Sequence, residues 1–154
     1  MIVSIIPPDK IANHLYRIKE LLKKIDDLLQ PLGTHSDLIA DCIAGTALLW
    51  GVFDQDKIEE GEEPLVAALV TYRRDYWRAS VLELVGLAGE PGTIWRWLAL
   101  LNKVTAAYAD VTGCISRQVP CGRKEWLRIL ARYGFTKSNL VTLEAPVVRK
   151  EGRQ

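Results

Sequence analysis

The chain has 154 residues, a formal net charge of +1, 49% hydrophobic residues and 25% charged residues. This length allows one domain with a buried core, and the balanced composition excludes general disorder and a fibrous repeat. The near-neutral charge removes the usual electrostatic argument for nucleic acid as a partner, and no apolar run approaches the roughly 18 residues of a membrane-spanning helix.

The first predicted elements are a strand and two helices. A short apolar run at residues 2–6 ends at two prolines, which is typical of a strand that leads directly into a helix. Leucine and isoleucine then recur every three or four positions over residues 9–30, predicting an amphipathic helix of about six turns. Pro31 marks its end. A second, shorter helix begins near Thr34 and closes at Gly45.

Three strands are predicted next. Residues 46–54 hold aliphatic and aromatic residues typical of a strand, and the acidic segment at residues 55–64 predicts a hairpin loop. Residues 65–89 predict two more strands joined around residues 73–77. The small and branched residues at 66–70 indicate burial on both faces of the sheet.

The C-terminal half predicts helices alternating with strands. Residues 93–113 have apolar positions at helical spacing and a closing glycine, which predicts a long helix. A strand at residues 114–120 and a helix at residues 122–134 follow. The last predicted strand covers residues 139–148.

This order of elements predicts a single α/β domain over residues 1–147, followed by a polar tail at residues 148–154. A hairpin meander followed by crossover connections gives a mixed sheet of about six strands with about four helices. The three cysteines are widely spaced, and neither they nor the two histidines form a disulfide framework or a metal site at recognisable spacing.

Two short phrases resemble a known protein family. The phrase A-x-x-x-G-C at residues 109–114 and the closing L-x-x-Y-G-F at residues 130–135 resemble the GNAT family of acetyl-CoA-dependent N-acetyltransferases. The resemblance covers residues 1–147 and implies one GNAT-like domain with a strongly twisted sheet. It is closest to divergent GNAT-like proteins of tailed bacteriophages. In those proteins a segment of the form G-R-x-x-W-x-x-x-L-x-x-x-G-F follows the Gly-Cys pair. In this chain it corresponds to Gly122, Arg123, Trp126, Leu130, Gly134 and Phe135.

The resemblance implies a place for acetyl-CoA. In this family the fourth and fifth strands splay apart around the pantetheine arm, and the pyrophosphate lies at the start of the next helix. The family's Q/R-x-x-G-x-G/A signature is missing here, because its positions hold Thr93, Arg96 and Leu98. Three glycines nearby can let the backbone approach a phosphate or can build a longer turn. If the protein binds the cofactor, the implied residues are Val85, Gly86, Leu87, Gly89, Gly92 and Thr93.

The residues for proton transfer differ from those of the family in one position, and one residue is a candidate general base. Many members place a tyrosine four residues before the glycine of Gly-Phe to protonate the departing thiolate, and this chain has Leu130 there. Tyr133 lies three residues later, where it either packs at the helix end or takes part in catalysis. Glu83 is the candidate base for the incoming amine. Alternatively, Glu83 forms a cross-strand ion pair with Arg73, Arg74 or Arg78.

The tryptophans suggest a different function. Trp95 and Trp97 are two apart on one helix and cannot face the same side, so together with Trp77 they predict an exposed interface anchor or a loosely packed core. With the departures above, they favour a non-catalytic protein without a cofactor. Such a protein is cytoplasmic or virion-associated and binds other protein subunits, including phage structural proteins. The alternative is an active acetyl-CoA-dependent N-acetyltransferase with Glu83 as its base.

Overall fold

The computed structural model describes residues 1–30, 33–120 and 124–137. Within this part of the chain, five strands form one sheet in sequence order: β1 (Ile2–Ile6), β2 (Leu48–Phe53), β3 (Leu65–Asp75), β4 (Ser80–Gly89) and β5 (Cys114–Gln118). Strands β1 to β4 pair with one another antiparallel, and β5 pairs with β4 parallel. The predicted α/β fold with a mixed sheet is confirmed. The predicted helix end at Pro31, residues 121–123, the last predicted strand and the tail lie outside the described residues.

The long helix predicted over residues 9–30 is not continuous. The structure divides it into a 3₁₀ helix (Pro8–His14), α1 (Leu15–Leu22), a 3₁₀ turn (Lys23–Ile25) and α2 (Asp26–Leu29). The backbone leaves the α-helical region at His14 (φ −120°, ψ 11°) and again at Ile25 (φ −110°, ψ 5°). The apolar face stays buried across the first interruption and as far as Ile25, because apolar spacing tolerates short 3₁₀ turns within a helical path, whereas α2 has no buried residue. The buried residues of this face are Ile11, Ile18, Leu21, Leu22 and Ile25.

The remaining helices include one that the sequence did not predict. Helix α3 (His35–Ala44) lies between its caps Thr34 and Gly45, as predicted. Helix α4 (Gln55–Glu60) replaces the predicted hairpin loop, because Asp54 caps its start and Gly61 ends it with φ 73°. Helices α5 (Ile94–Val111) and α6 (Lys124–Ala131) match their predictions. None of the described helices is long and apolar enough to cross a membrane.

The core has two parts, one on each face of the sheet. Helices α1 and α3 pack on one face with the 3₁₀ segments, and α5 and α6 pack on the other. Residues 65–70 of β3 are at most 1% exposed, which confirms their predicted burial on both faces. Beneath α5, the buried Trp50 donates through Nε1 to Thr71 Oγ1 at 2.9 Å, and Tyr108 packs edge-on against its ring.

The pairing of β4 changes along its length, and this change positions the candidate site. On one side β4 pairs with β3 as far as Gly89, whereas on the other side it pairs with β5 only from Ser80 to Glu83. The register with β3 shifts within this strand, leaving Val85 as an extra, bulged residue between Leu84 and Gly86. Within the described chain, the second edge of β4 therefore carries no strand beyond Glu83.

Candidate functional site

A cavity of about 430 Å³ opens where β4 and β5 separate, and we call it the β4/β5 cavity. Small-molecule sites typically have volumes of about 300–1,000 Å³. Helices on both faces of the sheet contribute to its walls, so it reaches both core layers. The residues that line it include Asp41, Tyr72, Arg74, Glu83, Val85, Leu87, Asn102, Thr105, Arg117, Leu130, Tyr133 and Phe135.

Two of the six predicted cofactor contacts, Val85 and Leu87, line this cavity. Gly86 and Gly89 lie inside β4 and not in a turn, and packing constrains both of them. An ideal Cβ on Gly86 would lie 2.9 Å from the Cδ1 methyl groups of Ile25 and Leu38, and one on Gly89 would lie 2.7 Å from Trp97 Cζ2. These two glycines therefore allow close packing of helices on the two faces of β4.

The other two predicted contacts form the entry to α5. Gly92 has φ 77°, and apart from its own chain neighbours no residue has an atom within 4 Å of where its Cβ would be. Thr93 is the first capping position, and its hydroxyl already donates to the Glu90 carbonyl at 2.8 Å and accepts from Trp97 Nε1 at 2.9 Å. The Thr93 side chain is therefore already paired, and the backbone N–H groups of this helix start are what remains for a ligand to bind beside it.

Polar side chains line the cavity on the α3 face. Glu83 accepts from Arg74 Nε at 2.8 Å, so the predicted cross-strand ion pair is present. The Arg74 guanidinium lies 4.7 Å from the centre of the Tyr72 ring. The Tyr72 hydroxyl in turn donates to Asp41 Oδ2 at 2.6 Å. Burial, and secondly this bond to Asp41, raise the pKa of Tyr72 well above its ordinary value.

The α5 face of the cavity is more apolar and holds one arginine. Leu130 and Tyr133 line it from α6 and the turn that follows, and Tyr133 also packs on the second core cluster. Arg117 extends from β5 to α5, where its Nη1 donates to the Asn102 carbonyl at 2.9 Å. Burial lowers the pKa of Arg117. The turn after α6 therefore contributes a phenol to this wall, and β5 contributes a guanidinium.

The tryptophans divide between surface and core. Trp77, in the turn between β3 and β4, is fully exposed, and Trp95 is 60% exposed beneath the Arg132 guanidinium. The interface prediction is wrong for Trp97, which is 2% exposed. Its ring faces inward from α5 and fills the space left by Gly89.

The sequence did not indicate that Asp41, Tyr72, Asn102 and Arg117 belong to the cavity wall. Asp41 and Tyr72 are 31 residues apart, and Arg117 lies 15 residues from Asn102. Tyr72 does have a sequence signal, because it follows directly on the buried run of β3. Arg117 has a weaker one, as a single charge within a predicted strand. No pattern in the sequence joins Asp41 to either.

Comparison with known proteins gives a result for structure alone. No family model and no curated protein matches the sequence. A crystal structure of a probable acetyltransferase superposes with a TM-score of 0.74 and 12% identity, covering 97% of this chain and 100% of that chain. Ribosomal-protein-alanine N-acetyltransferase from Brucella melitensis biovar Abortus 2308 gives 0.68 and 12%, covering 96% and 100%. Aminoglycoside antibiotic 6′-N-acetyltransferase from Acinetobacter haemolyticus gives 0.65 and 16%, covering 97% and 100%.

These neighbours are acetyltransferases of the GNAT fold, and they are matched over nearly their whole length. The chain therefore has the GNAT acetyltransferase fold, as the sequence resemblance implied. At 12–16% identity the likeness establishes the fold and not the chemistry.

Proposed function

We propose that this protein is an acyl-CoA-dependent N-acyltransferase. The observation that supports this most is the β4/β5 cavity, into which β4 presents an edge without a described partner strand beyond Glu83. The acyl-CoA supplies an acyl group activated as a thioester; transfer to an amine forms an amide C–N bond and breaks the C–S bond. This proposal reverses the preference for a non-catalytic protein that the missing sequence signature suggested.

The residues present fit such a donor. An extended pantetheine arm needs backbone hydrogen-bond partners, and the backbone of residues 84–87 offers them along the edge of β4 that has no partner strand among the described residues. The bulge at Val85 changes the direction of the strand at this point. For the pyrophosphate, the start of α5 offers the N–H groups of Ile94 and Trp95 and the positive end of the helix dipole, whereas the Thr93 and Arg96 N–H groups already donate to carbonyls of the same turn. Gly92 leaves open space beside that helix start.

The acceptor amine would approach from the α3 face. Asp41 and Glu83 both line the cavity there, and a carboxylate attracts an ammonium group and can take its proton. Glu83 is already paired with Arg74, whereas the described partner of the Asp41 carboxylate is the neutral Tyr72 hydroxyl. Asp41 therefore contributes the less compensated negative charge.

The departing thiolate needs a proton, which Leu130 cannot supply. Tyr133 presents the phenol on the α6 side of the cavity. We assign it the role of general acid in this proposal. A Tyr133→Phe variant should bind CoA normally and lose acyl transfer, since general acid catalysis typically contributes about 10²–10⁴-fold to the rate.

Calorimetry with CoA and acetyl-CoA tests the binding site. We expect micromolar binding to the unaltered protein and its loss in Leu130→Trp, which fills the cavity. Leu127→Trp is the matched control, because Leu127 is on the same helix but is exposed and does not line the cavity. Absence of binding at millimolar ligand, or equal weakening by the two variants, contradicts the proposal.

A second candidate function rests on the turn between β3 and β4. Tyr76 and Trp77 are 62% and 105% exposed there, and exposed aromatic side chains are typical interface anchors. We propose a role for this turn in binding other protein subunits, with phage structural proteins as the class suggested by the resemblance. Sedimentation with purified candidate proteins tests it. Trp77→Ser should abolish a complex that Trp95→Ser leaves intact, and equal effects of both count against the turn.

A further inference from the structure

Arg117 lies next to the point where β4 and β5 separate. It pairs with Leu82 in the parallel ladder, and the next pair, which includes Glu83, is the last. The side chain turns toward α5. There its Nη1 lies within hydrogen-bond distance of three oxygens: Asn102 O at 2.9 Å, Asn102 Oδ1 at 2.8 Å and Thr105 Oγ1 at 3.1 Å. Phe135 holds the guanidinium from another side, with its ring centre at 4.9 Å.

The positive charge of Arg117 has only neutral partners in the described structure. A guanidinium carries five N–H donors, and the three oxygens all lie at Nη1. No acceptor for Nη2 or Nε, and no carboxylate partner, is found among residues 1–30, 33–120 and 124–137. Arg74, which lines the same cavity on its α3 face, is paired with Glu83. A partly buried cation is costly unless an anion pairs with it, so the chemistry of the cavity favours an anionic ligand group.

We propose that Arg117 binds a carboxylate at the end of the donor's acyl group, so that the preferred donor is a dicarboxylic acyl-CoA such as succinyl-CoA. This inference rests on the proposed function. Arg117 contacts α5, the helix whose start is assigned to the pyrophosphate, whereas the acceptor carboxylates lie on the α3 face. The donor and not the acceptor is therefore the ligand that reaches this guanidinium.

A planar guanidinium can bind a carboxylate through two parallel hydrogen bonds, and a carboxylate at the end of the acyl group would use the Arg117 N–H groups in this way. Asn102 and Phe135 fix the guanidinium before the ligand arrives. The transfer itself is unchanged: the amide C–N bond forms, the thioester C–S bond breaks, and the proton lost by the amine leaves with the thiol. Arg117 acts on donor selection through the distal carboxylate and takes no part in the bond changes.

Calorimetry compares succinyl-CoA with acetyl-CoA on four proteins: the unaltered chain, Arg117→Gln, Arg117→Lys and Arg128→Gln. A charged hydrogen bond of ordinary strength predicts that the unaltered chain binds succinyl-CoA about 10- to 100-fold more tightly. Arg117→Gln should remove that difference while leaving acetyl-CoA affinity nearly unchanged. Arg117→Lys should retain part of it. Arg128→Gln, an exposed change on α6, should retain all of it.

Two results overturn this inference while leaving the proposed function in place. One is equal affinity of the unaltered chain for succinyl-CoA and acetyl-CoA. The same result is expected if Arg117 binds a carboxylate of the acceptor and not of the donor. The other is equal weakening of both donors by Arg117→Gln, which a purely structural clamp between β5 and α5 would produce. If the unaltered chain binds neither donor, the proposed function and this inference both fail.

Discussion

Gly89 lies at the end of β4, where the fold leaves no room for a side chain. A Cβ built there would lie 2.7 Å from Trp97 Cζ2, 3.2 Å from Ala67 Cβ and 3.4 Å from the Val66 carbonyl oxygen. The first distance is shorter than real Cβ contacts, so Gly89→Ala requires Trp97 or the strand to move. Overpacking of a core costs about 1–3 kcal/mol, and we expect the free energy of unfolding to fall by that amount. For a domain of this size the melting temperature falls about 2–4 °C per kcal/mol.

Urea unfolding of a double-mutant cycle measures the contact itself. Trp97→Phe removes the part of the indole ring that faces Gly89, so Gly89→Ala should cost less in that background than in the unaltered chain. Gly92→Ala is the control. It introduces backbone strain at φ 77° but meets no neighbour, and its effect should add independently to that of Trp97→Phe.

The outcome decides between packing and cofactor approach as the role of Gly89. If Gly89→Ala leaves the free energy of unfolding unchanged and weakens CoA binding, the residue serves the cofactor, as the family resemblance implied. A loss of stability that Trp97→Phe relieves supports the packing role. An equal loss in both backgrounds refutes the contact with Trp97 as its cause.

Three further predictions concern hydrogen bonds and burial. The backbone N–H and ring of His35 hold the pKa of Asp26 below its ordinary 3.8, so the stabilisation is present above that value and lost as the pH falls through the lower folded pKa. Between about pH 5 and pH 2 the melting temperature should fall more steeply with decreasing pH for the unaltered chain than for Asp26→Asn. Parallel pH dependences of the two melting temperatures contradict this. Thr71→Val should destabilise the fold by about 1–3 kcal/mol in urea unfolding, because the buried Trp50 N–H loses its acceptor. Thr71→Ser should be much milder, and equal costs would show that the hydroxyl is not the cause. Burial raises the pKa of Cys42 to about 12, so mass spectrometry should find this thiol unmodified by a neutral alkylating reagent until the protein is denatured. Rapid labelling of the folded protein would refute its burial.

The strands and the later helices could be predicted because their signals are local. The buried run of β3 and the helical spacing of α5 each fix an element within one stretch of sequence. The interruptions of the first helix at His14 and Ile25 could not be predicted, since the apolar spacing in the sequence continues through both. Helix α4 was hidden by its acidic composition.

The candidate site was predictable only in part, for a related reason. Glu83, Val85 and Leu87 lie on one strand, so locating β4 located all three. The contacts of Tyr72 with Asp41 and of Arg117 with α5 depend on how separate elements pack, and apolar periodicity carries no information about such pairs.

Hydrogen–deuterium exchange with and without CoA tests the central claim most directly, because it locates the ligand on the chain. The proposed function predicts slower exchange in two places when CoA is bound, the backbone of residues 84–87 and the first turn of α5. Cavity-filling Leu130→Trp should abolish both changes and Leu127→Trp neither. No protection at saturating CoA, or protection confined to residues outside the β4/β5 cavity and the start of α5, would contradict the account.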